Sequence, residues 1–225
     1  MQSVCLLFAG RRGLDDFSMR SSIVRVPEVS QRLKRAQSIF DQTGKPVDLF
    51  AFAQASDTEY ANLPNLRVLL ASIVQIGLYD RYIKFRNPPT FMVGKTNGSS
   101  ALDVCTQKIT FDEFITSSDF FLEITNVEDI DSSKTTLTGL RLEEYGAVIL
   151  KDGTYTPFQS NSKDCYSIIQ ELGSESIISQ YIHIGPCFDF RQPELEKNGM
   201  SYLSIMNSID TDPMLSSFWK APIAI

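Results

Sequence analysis

A hydroxyl residue between two glycines is the part of this sequence whose spacing could do chemistry. Thr96 lies between Gly94 and Gly98, after the apolar run 91–93 and before a helical pattern that begins at Asn97 or at the second glycine. A strand, a sharp turn and a helix in this order can raise the central hydroxyl above a sheet. The free N–H groups at the start of such a helix can hold an oxyanion. An ordinary glycine-rich turn is the simpler alternative.

Candidate bases for this hydroxyl are few. His183 is the only histidine in the chain. It stands near the end of the β-branched run 177–184, and the pattern predicts a structural role in a buried strand. Lys95 could act as a base only if burial lowered its pKa by several units. The loss of one member of a nucleophile–base unit lowers the catalytic rate nearly as much as the loss of the whole unit. The lack of a suitable base therefore indicates a non-catalytic protein.

The longer stretch resembles a known family. Residues 94–111, GKTNGSSALDVCTQKITF, are similar to the active-site segment of malonyl-CoA:acyl-carrier-protein transacylases and polyketide acyltransferase domains, whose pattern is close to GHSLGEYSALVCAGVIDF. The two align without a gap and share Gly94, Gly98, Val104, Cys105, Ile109 and Phe111. The resemblance puts the family's nucleophilic Ser at Thr96, its neighbouring His at Lys95 and its Glu at Ser99.

Other segments extend the resemblance over residues 3–122 and 156–190. Arg11 takes the place of a Gln that shapes the family's oxyanion hole. The loop that carries Arg11 is either a solvated basic loop or a small cationic site for a phosphate or a carboxylate. Leu66 replaces a Gln that lines the site, and is more simply a core residue. Gln159 corresponds to the Gln that orients the family's catalytic His.

Further departures imply that the chemistry is lost. Phe121 stands where the family has an Arg that pairs with the malonyl carboxylate, so malonyl should be excluded, since a buried carboxylate without a cation is costly. His183 stands where the family has a Glu. In the family a ferredoxin-like lobe carries the catalytic His. Only residues 125–155 are available for it here, which predicts a lobe that is missing or reduced to an irregular or hairpin insert.

Apolar runs that alternate with helical periodicity predict an α/β fold. Strands are expected near residues 3–8, 90–93 and 178–184 in one mostly parallel central sheet, with helices on both faces. Helical patterns cover residues 28–41 and 66–85, whereas the pattern at 47–52 fits either a short strand or the start of a helix.

The resemblance adds that the chain is a single acyltransferase-like domain, residues 1–225, built as an α/β-hydrolase-like large subdomain. Its core would comprise 1–122 and 156–190, followed by an extension, 191–225. The apolar end of that extension, 214–225, either packs on its own core or contributes to a partner interface.

Composition excludes several other classes. The net charge of -6 and the pI near 4.9 argue against nucleic acid as a partner. No run has the length of a membrane span and no basic-then-apolar signal follows Met1, so a cytoplasmic location without membrane contact is expected. The four cysteines form no CxxC pair, so no metal site is predicted. No cofactor is implied.

The sequence is consistent with three functions. The first is a non-catalytic acyltransferase-like protein that binds, scaffolds or regulates within a fatty-acid or polyketide system. Its partner would be an acyl carrier protein, a ketosynthase, another biosynthetic component or a second copy of the chain, docked on an open apolar surface around Thr96, Leu66, Phe120 and Phe121. The second is a transacylase or acyl hydrolase that uses Thr96 with His183 or Lys95. The third is a small-molecule sensor.

Overall fold

The computed structural model describes residues 3–8, 14, 17–95, 97–117, 145–151, 153–157, 167, 169, 171, 178–184 and 201–204. The strands are β1 (Ser3–Phe8), β2 (Phe91–Lys95), β3 (Tyr145–Lys151), β4 (Thr154–Pro157), β5 (Ile178–Ile184) and β6 (Ser201–Ser204). The helices with defined bounds are α1 (Phe17–Ile23), α2 (Pro27–Gln42), α3 (Leu49–Ala53), α4 (Asp57–Ala61), α5 (Pro64–Phe85), α6 (Asn97–Cys105) and α7 (Phe111–Ser117).

The strands form one mixed sheet in the order β4-β3-β2-β1-β5-β6. β1 is parallel to both of its neighbours, β2 and β5, and β6 is parallel to β5. β3 is antiparallel to β2, and β4 is antiparallel to β3. The prediction of an α/β fold, with strands near 3–8, 90–93 and 178–184 in one mostly parallel sheet, is therefore confirmed.

The central strands bury side chains on both faces of the sheet. One face, called here the helix face, joins the hydrophobic core that the helices form, through Leu6, Phe8, Met92, Ile182 and Ile184. The opposite face carries the alternate residues, which are also buried: Cys5, Leu7, Phe91, Val93, Tyr181 and His183. Burial on both faces explains the nearly continuous apolar runs of these strands. The prediction of helices against the opposite face stays a prediction.

The predicted hairpin within 125–155 is present, and it extends the central sheet instead of standing outside it. β3 and β4 pair from Val148 with Pro157 to Lys151 with Thr154. Gly153 in the connection has a φ of +80°, a conformation that glycine adopts without steric strain. The hairpin is also tied to the chain before β2, because the Tyr155 hydroxyl donates a hydrogen bond to the carbonyl of Pro89 at 3.2 Å.

The two long helices lie where the periodicity predicts them. α2 begins at Pro27 and is followed by Gly44, whose φ of +70° ends the helical path. α5 spans 22 residues from Pro64 to Phe85, and the prolines at 88 and 89 follow its end. In the described part of the chain, α5 included, no helix has the combination of length and apolar character that a membrane crossing needs.

Short helices are fixed by side-chain caps. The segment 47–52, ambiguous in sequence, begins helix α3, because the Asp48 carboxylate accepts hydrogen bonds from the backbone N–H groups of Phe50 and Ala51 at 2.9 Å. At the start of α7, the Thr110 hydroxyl accepts from the Glu113 N–H at 3.1 Å, and the Glu113 carboxylate accepts from the Thr110 N–H at 2.8 Å. This reciprocal pair is a capping box.

A glycine lets α2 and α5 approach closely. A Cβ placed on Gly77 of α5 would lie 2.5 Å from the Cα atom of Val29 and 2.9 Å from its backbone nitrogen. Val29 is itself fully buried. The two backbones therefore pack at a distance that no other residue at position 77 permits.

Gly77→Ala should lower the free energy of unfolding by about 2 kcal/mol, measured by urea denaturation. Alanine would favour the helix by about 1 kcal/mol, but the clash with backbone atoms that cannot rotate away outweighs this gain. Gly44→Ala is the comparison, since a Cβ there meets nothing within 4 Å, and only the positive φ should cost about 1 kcal/mol. A Gly77→Ala protein as stable as the wild type would show that the helices can separate at little cost.

An ion-pair network also joins α2 to α5. The Glu28 carboxylate accepts hydrogen bonds from Arg81 at 2.9 Å and from Lys84 at 3.0 Å. Glu28 and Arg81 are both buried. Burial disfavours the charged form of Glu28, yet the hydrogen bonds from Lys84 and Arg81 outweigh it and hold the pKa of this carboxyl below its ordinary value of 4.5. The pair therefore contributes stability above about this pH and loses it as the pH falls through the lower folded-state pKa.

Glu28→Gln should lower the free energy of unfolding at pH 7 by about 3 kcal/mol, because it removes the carboxylate that pairs with the buried Arg81 guanidinium. Arg35→Gln is the matched control on the same helix, since its partner Asp112 and Arg35 itself are both about half exposed, and such pairs are worth under about 1 kcal/mol. Equal losses in the two variants would contradict the importance of burial. Below pH 4.5, the stability of the Glu28→Gln protein should also fall less steeply than that of the wild type, because the variant has no carboxyl to protonate at this position.

Candidate functional site

The strand–turn–helix predicted around Thr96 is present at the carboxyl edge of the sheet. β2 ends at Lys95 and α6 begins at Asn97. Because β1, β2 and β5 are parallel, the chain leaves all three strands at this same edge. Thr96 itself and the side chains from Lys95 to Ser100 lie outside the described residues, so the position of the hydroxyl stays a prediction.

Helix α6, which follows this turn, is packed into the core. Ala101 and Leu102 are buried in the core, and the helix contacts β2, β1 and α5. It ends through Gln107, which has a φ of +60°, while the N–H of Lys108 donates to the carbonyl of Asp103 at 2.9 Å. This is the hydrogen-bond pattern of a Schellman end, here without the usual glycine. The start of the helix therefore has a fixed direction relative to the sheet.

Cys105, at the end of α6, is a structural residue. Burial strongly disfavours its thiolate, and the nearby Asp80 carboxylate adds to this, so the pKa of the thiol lies well above its ordinary value. A neutral thiol in the core is a poor nucleophile and a poor metal ligand. Among the residues that the structure describes, no three His, Cys, Asp or Glu side chains come together as metal ligands would.

His183 lies away from the β2–α6 turn. Its Cα pairs with Leu7 of β1, and Leu7 pairs with Val93 of β2. Two strand spacings therefore separate His183 from Val93, about 10 Å, and the additional rise to Lys95 brings the backbone separation to about 12 Å. The side chain is only 1% exposed and is buried on the opposite face of the sheet. β1 stands between this imidazole and the strand that leads to Thr96.

The remaining predicted site residues divide into three groups. Leu66 is 6% exposed and belongs to the hydrophobic core, as its simpler interpretation predicted, and so it does not form part of an open apolar surface. Asn97 and Gly98 form the first turn of α6. The others, Arg11, Phe120, Phe121 and Gln159, lie outside the described residues, and their roles stay predictions.

Sequence analysis missed a buried arginine in the helix that follows β1. Arg20 of α1 is fully buried. Its guanidinium donates to the carbonyls of Leu14 at 2.7 Å and Ala55 at 2.6 Å, and to the Asp57 carboxylate at 2.9 Å. Its Cζ atom lies 4.1 Å from the centre of the Tyr60 ring. These contacts, here called the Arg20 cluster, fasten the chain that returns from β1 to α4. No local pattern marks Arg20, because its partners are distant in sequence.

No family model matches this chain, and a comparison with curated proteins finds no match either.

His183 should resist modification by diethyl pyrocarbonate in the native protein, because the imidazole is buried. Since the chain has one histidine, the absorbance of carbethoxyhistidine should report a single group, which reacts fully in urea and very slowly without it. A native reaction rate close to that in urea would show an accessible imidazole and would reopen its role as a base.

Proposed function

We propose that this protein is a non-catalytic acyltransferase-like protein that acts as a binding, scaffold or regulatory partner in a fatty-acid or polyketide-type system. Its fold would be that of the α/β-hydrolase-like large subdomain of malonyl transacylases, with the small lobe missing or reduced. The partner would be an acyl carrier protein, a ketosynthase or another component of the same system, or a second copy of the chain.

The position of His183 is the observation that carries the proposal. A general base must come within hydrogen-bond reach, about 3 Å, of the hydroxyl that it deprotonates. The only histidine of the chain is buried on the far side of β1 from the β2–α6 turn, about 12 Å from the backbone of Lys95. A serine- or threonine-dependent acyl transfer without a base loses most of its rate.

The β2–α6 unit supports the part of the proposal that concerns the scaffold. The turn lies at the carboxyl edge of a parallel strand pair, and a buried helix follows it directly, as in the family that residues 94–111 resemble. The small lobe has little chain left to form it, because β3 already belongs to the central sheet at Tyr145. Only residues 118–144 separate α7 from that strand.

The β2–α6 turn also supports a second candidate, an acyl transferase or hydrolase that uses Thr96. The first N–H groups of α6 are at the carboxyl edge of the sheet and could stabilise an oxyanion there. Such an enzyme would take its base from Lys95 or from a partner chain. The two candidates differ in one respect that can be measured directly: only the second forms a covalent acyl adduct.

Incubation with malonyl- or acetyl-CoA should leave the intact mass of the protein unchanged, because no base activates the Thr96 hydroxyl. Native mass spectrometry with a purified acyl carrier protein and a ketosynthase should, in contrast, detect a complex with one of them. An added acyl group that is absent from the Thr96→Ala variant would refute the non-catalytic function and establish the second candidate.

Thr96→Ser serves as the sharper control. It restores the family's nucleophile type without the extra methyl group, and it should still give no malonyl transfer to a carrier protein, since neither a base nor a cation for the carboxylate is restored. Measurable transfer by this single variant would show that the scaffold retains its other catalytic parts.

A further inference from the structure

Hydrogen-bonding residue types are gathered on one part of the opposite face of the sheet. Cys5 of β1 and Tyr181 and His183 of β5 are buried there. Tyr181 pairs with Tyr202 of β6, and His183 pairs with Ser204. Because residues paired across neighbouring parallel strands share a face, positions 202 and 204 belong to the same face. These five residues, here called the polar strip, comprise a thiol, two phenols, an imidazole and a hydroxyl.

The polar strip occupies two neighbouring rows that cross β1, β5 and β6. The first row passes through Tyr181 and the second through His183, two residues further along β5. From the spacing of strands and of residues along a strand, the Cα atoms of the strip lie within about 10 Å by 7 Å. On the other side of β1 the same face is apolar, with Phe91 and Val93 of β2 in these rows. The polar groups are therefore concentrated on the side of β5 and β6.

The hydroxyl of Tyr181 distinguishes this strip from an ordinary set of buried polar residues. Tyr181 is 0% exposed, and within the part of the chain that the structure describes its hydroxyl has no hydrogen-bond partner. Burial, together with the nearby Cys5 thiol, raises the pKa of this phenol, so the hydroxyl keeps its proton and can donate it. Buried hydroxyls are usually paired, because an unpaired one costs free energy. This hydroxyl is therefore placed to donate to an acceptor oxygen of a bound molecule.

The composition of the three strands indicates which kind of molecule would bind. β1, β5 and β6 contain no Asp, Glu, Lys or Arg. A charged group buried against them would lose its hydration without gaining a counter-charge from these strands, which is costly. An uncharged carbonyl or hydroxyl oxygen needs only a hydrogen bond, and the phenol of Tyr181 can supply it. Because the strip is buried, the molecule should consist of only a few atoms.

We propose that the polar strip binds a small uncharged molecule through a carbonyl or hydroxyl oxygen, which accepts a hydrogen bond from the hydroxyl of Tyr181. The other residue types of the strip can each donate or accept a hydrogen bond, and a few such groups are enough to fix the orientation of a ligand. The site lies on the face of the sheet opposite to the helical core, which includes α6. It requires neither acyl transfer nor a protein partner, so it goes beyond the proposed function.

Acetamide and acetate are a matched pair of probes, because they have the same size and differ in charge. Saturation-transfer NMR on the whole chain should show binding of acetamide at about 100 mM, since so small a probe binds weakly, and a signal about fivefold weaker for acetate. Acetamide should also raise the midpoint of thermal unfolding by about 2 °C. Tyr181→Phe should abolish both acetamide effects. Without a probe, its midpoint should equal or exceed that of the wild type, because the substitution removes a buried hydroxyl that lacks a described partner.

Tyr155→Phe is the matched control and should behave in the opposite way. The Tyr155 hydroxyl donates to the carbonyl of Pro89 at 3.2 Å, and its side chain packs against the helical core. This variant should have a lower thermal midpoint and should bind acetamide as the wild type does.

Four results of the binding measurements would each overturn the proposal: no binding of acetamide, equal signals from acetamide and acetate, a signal that persists in Tyr181→Phe, or a signal lost in both variants. A lower midpoint of Tyr181→Phe without a probe would also overturn it. That result would show that the hydroxyl already has its acceptor, from the chain itself or from a buried water.

Discussion

The position of β1 between two parallel strands is the constraint on which the rest of the structure depends. Its residues are buried on both faces, so its pairing with β2 and β5 cannot slip by one residue without exchanging two different sets of buried neighbours. The pairing brings the turn after β2 and the end of β5 to one edge. It also fixes how far apart they are, because a whole strand lies between them. The same arrangement therefore places the β2–α6 turn at this edge and keeps His183 two strand spacings away from β2.

Buried charges hold the helices to one another. The Arg20 cluster fastens the return from β1, and the Glu28–Arg81 pair joins α2 to α5. Both arginines depend on partners far away in sequence, and each would be costly to bury alone. Apolar packing could hold these helices together in several registers, but hydrogen-bonded charges are satisfied in only one. The arrangement of the helices thus depends on a few polar contacts within a largely apolar core.

Much of this fold could be predicted from local pattern, and the limits of that prediction are physical. The strands at 3–8 and 178–184, the helices α2 and α5, and the β3–β4 hairpin follow from periodicity and turn residues, which act over a few positions. The pairing of β3 with β2, the addition of β6 and the contacts of Arg20 could not be predicted, since long-range pairing leaves no periodic signal. In the candidate site, the strand–turn–helix was predicted correctly. The burial of Leu66 followed from the helical pattern of α5, whereas its assignment to a site wall followed only from the resemblance.

The residues shared with the family pattern and those that differ from it lie in different places in this structure. Val104, Cys105 and Phe111 are buried and pack α6 and the start of α7 onto the core. Lys95, Thr96 and Ser99, which differ from the family pattern, lie at the turn where a reaction would take place. Packing residues and reacting residues are under different constraints, because a buried side chain must fit its neighbours whether or not the protein catalyses a reaction. A likeness at the packing positions and at the two glycines of the turn therefore carries little information about catalysis.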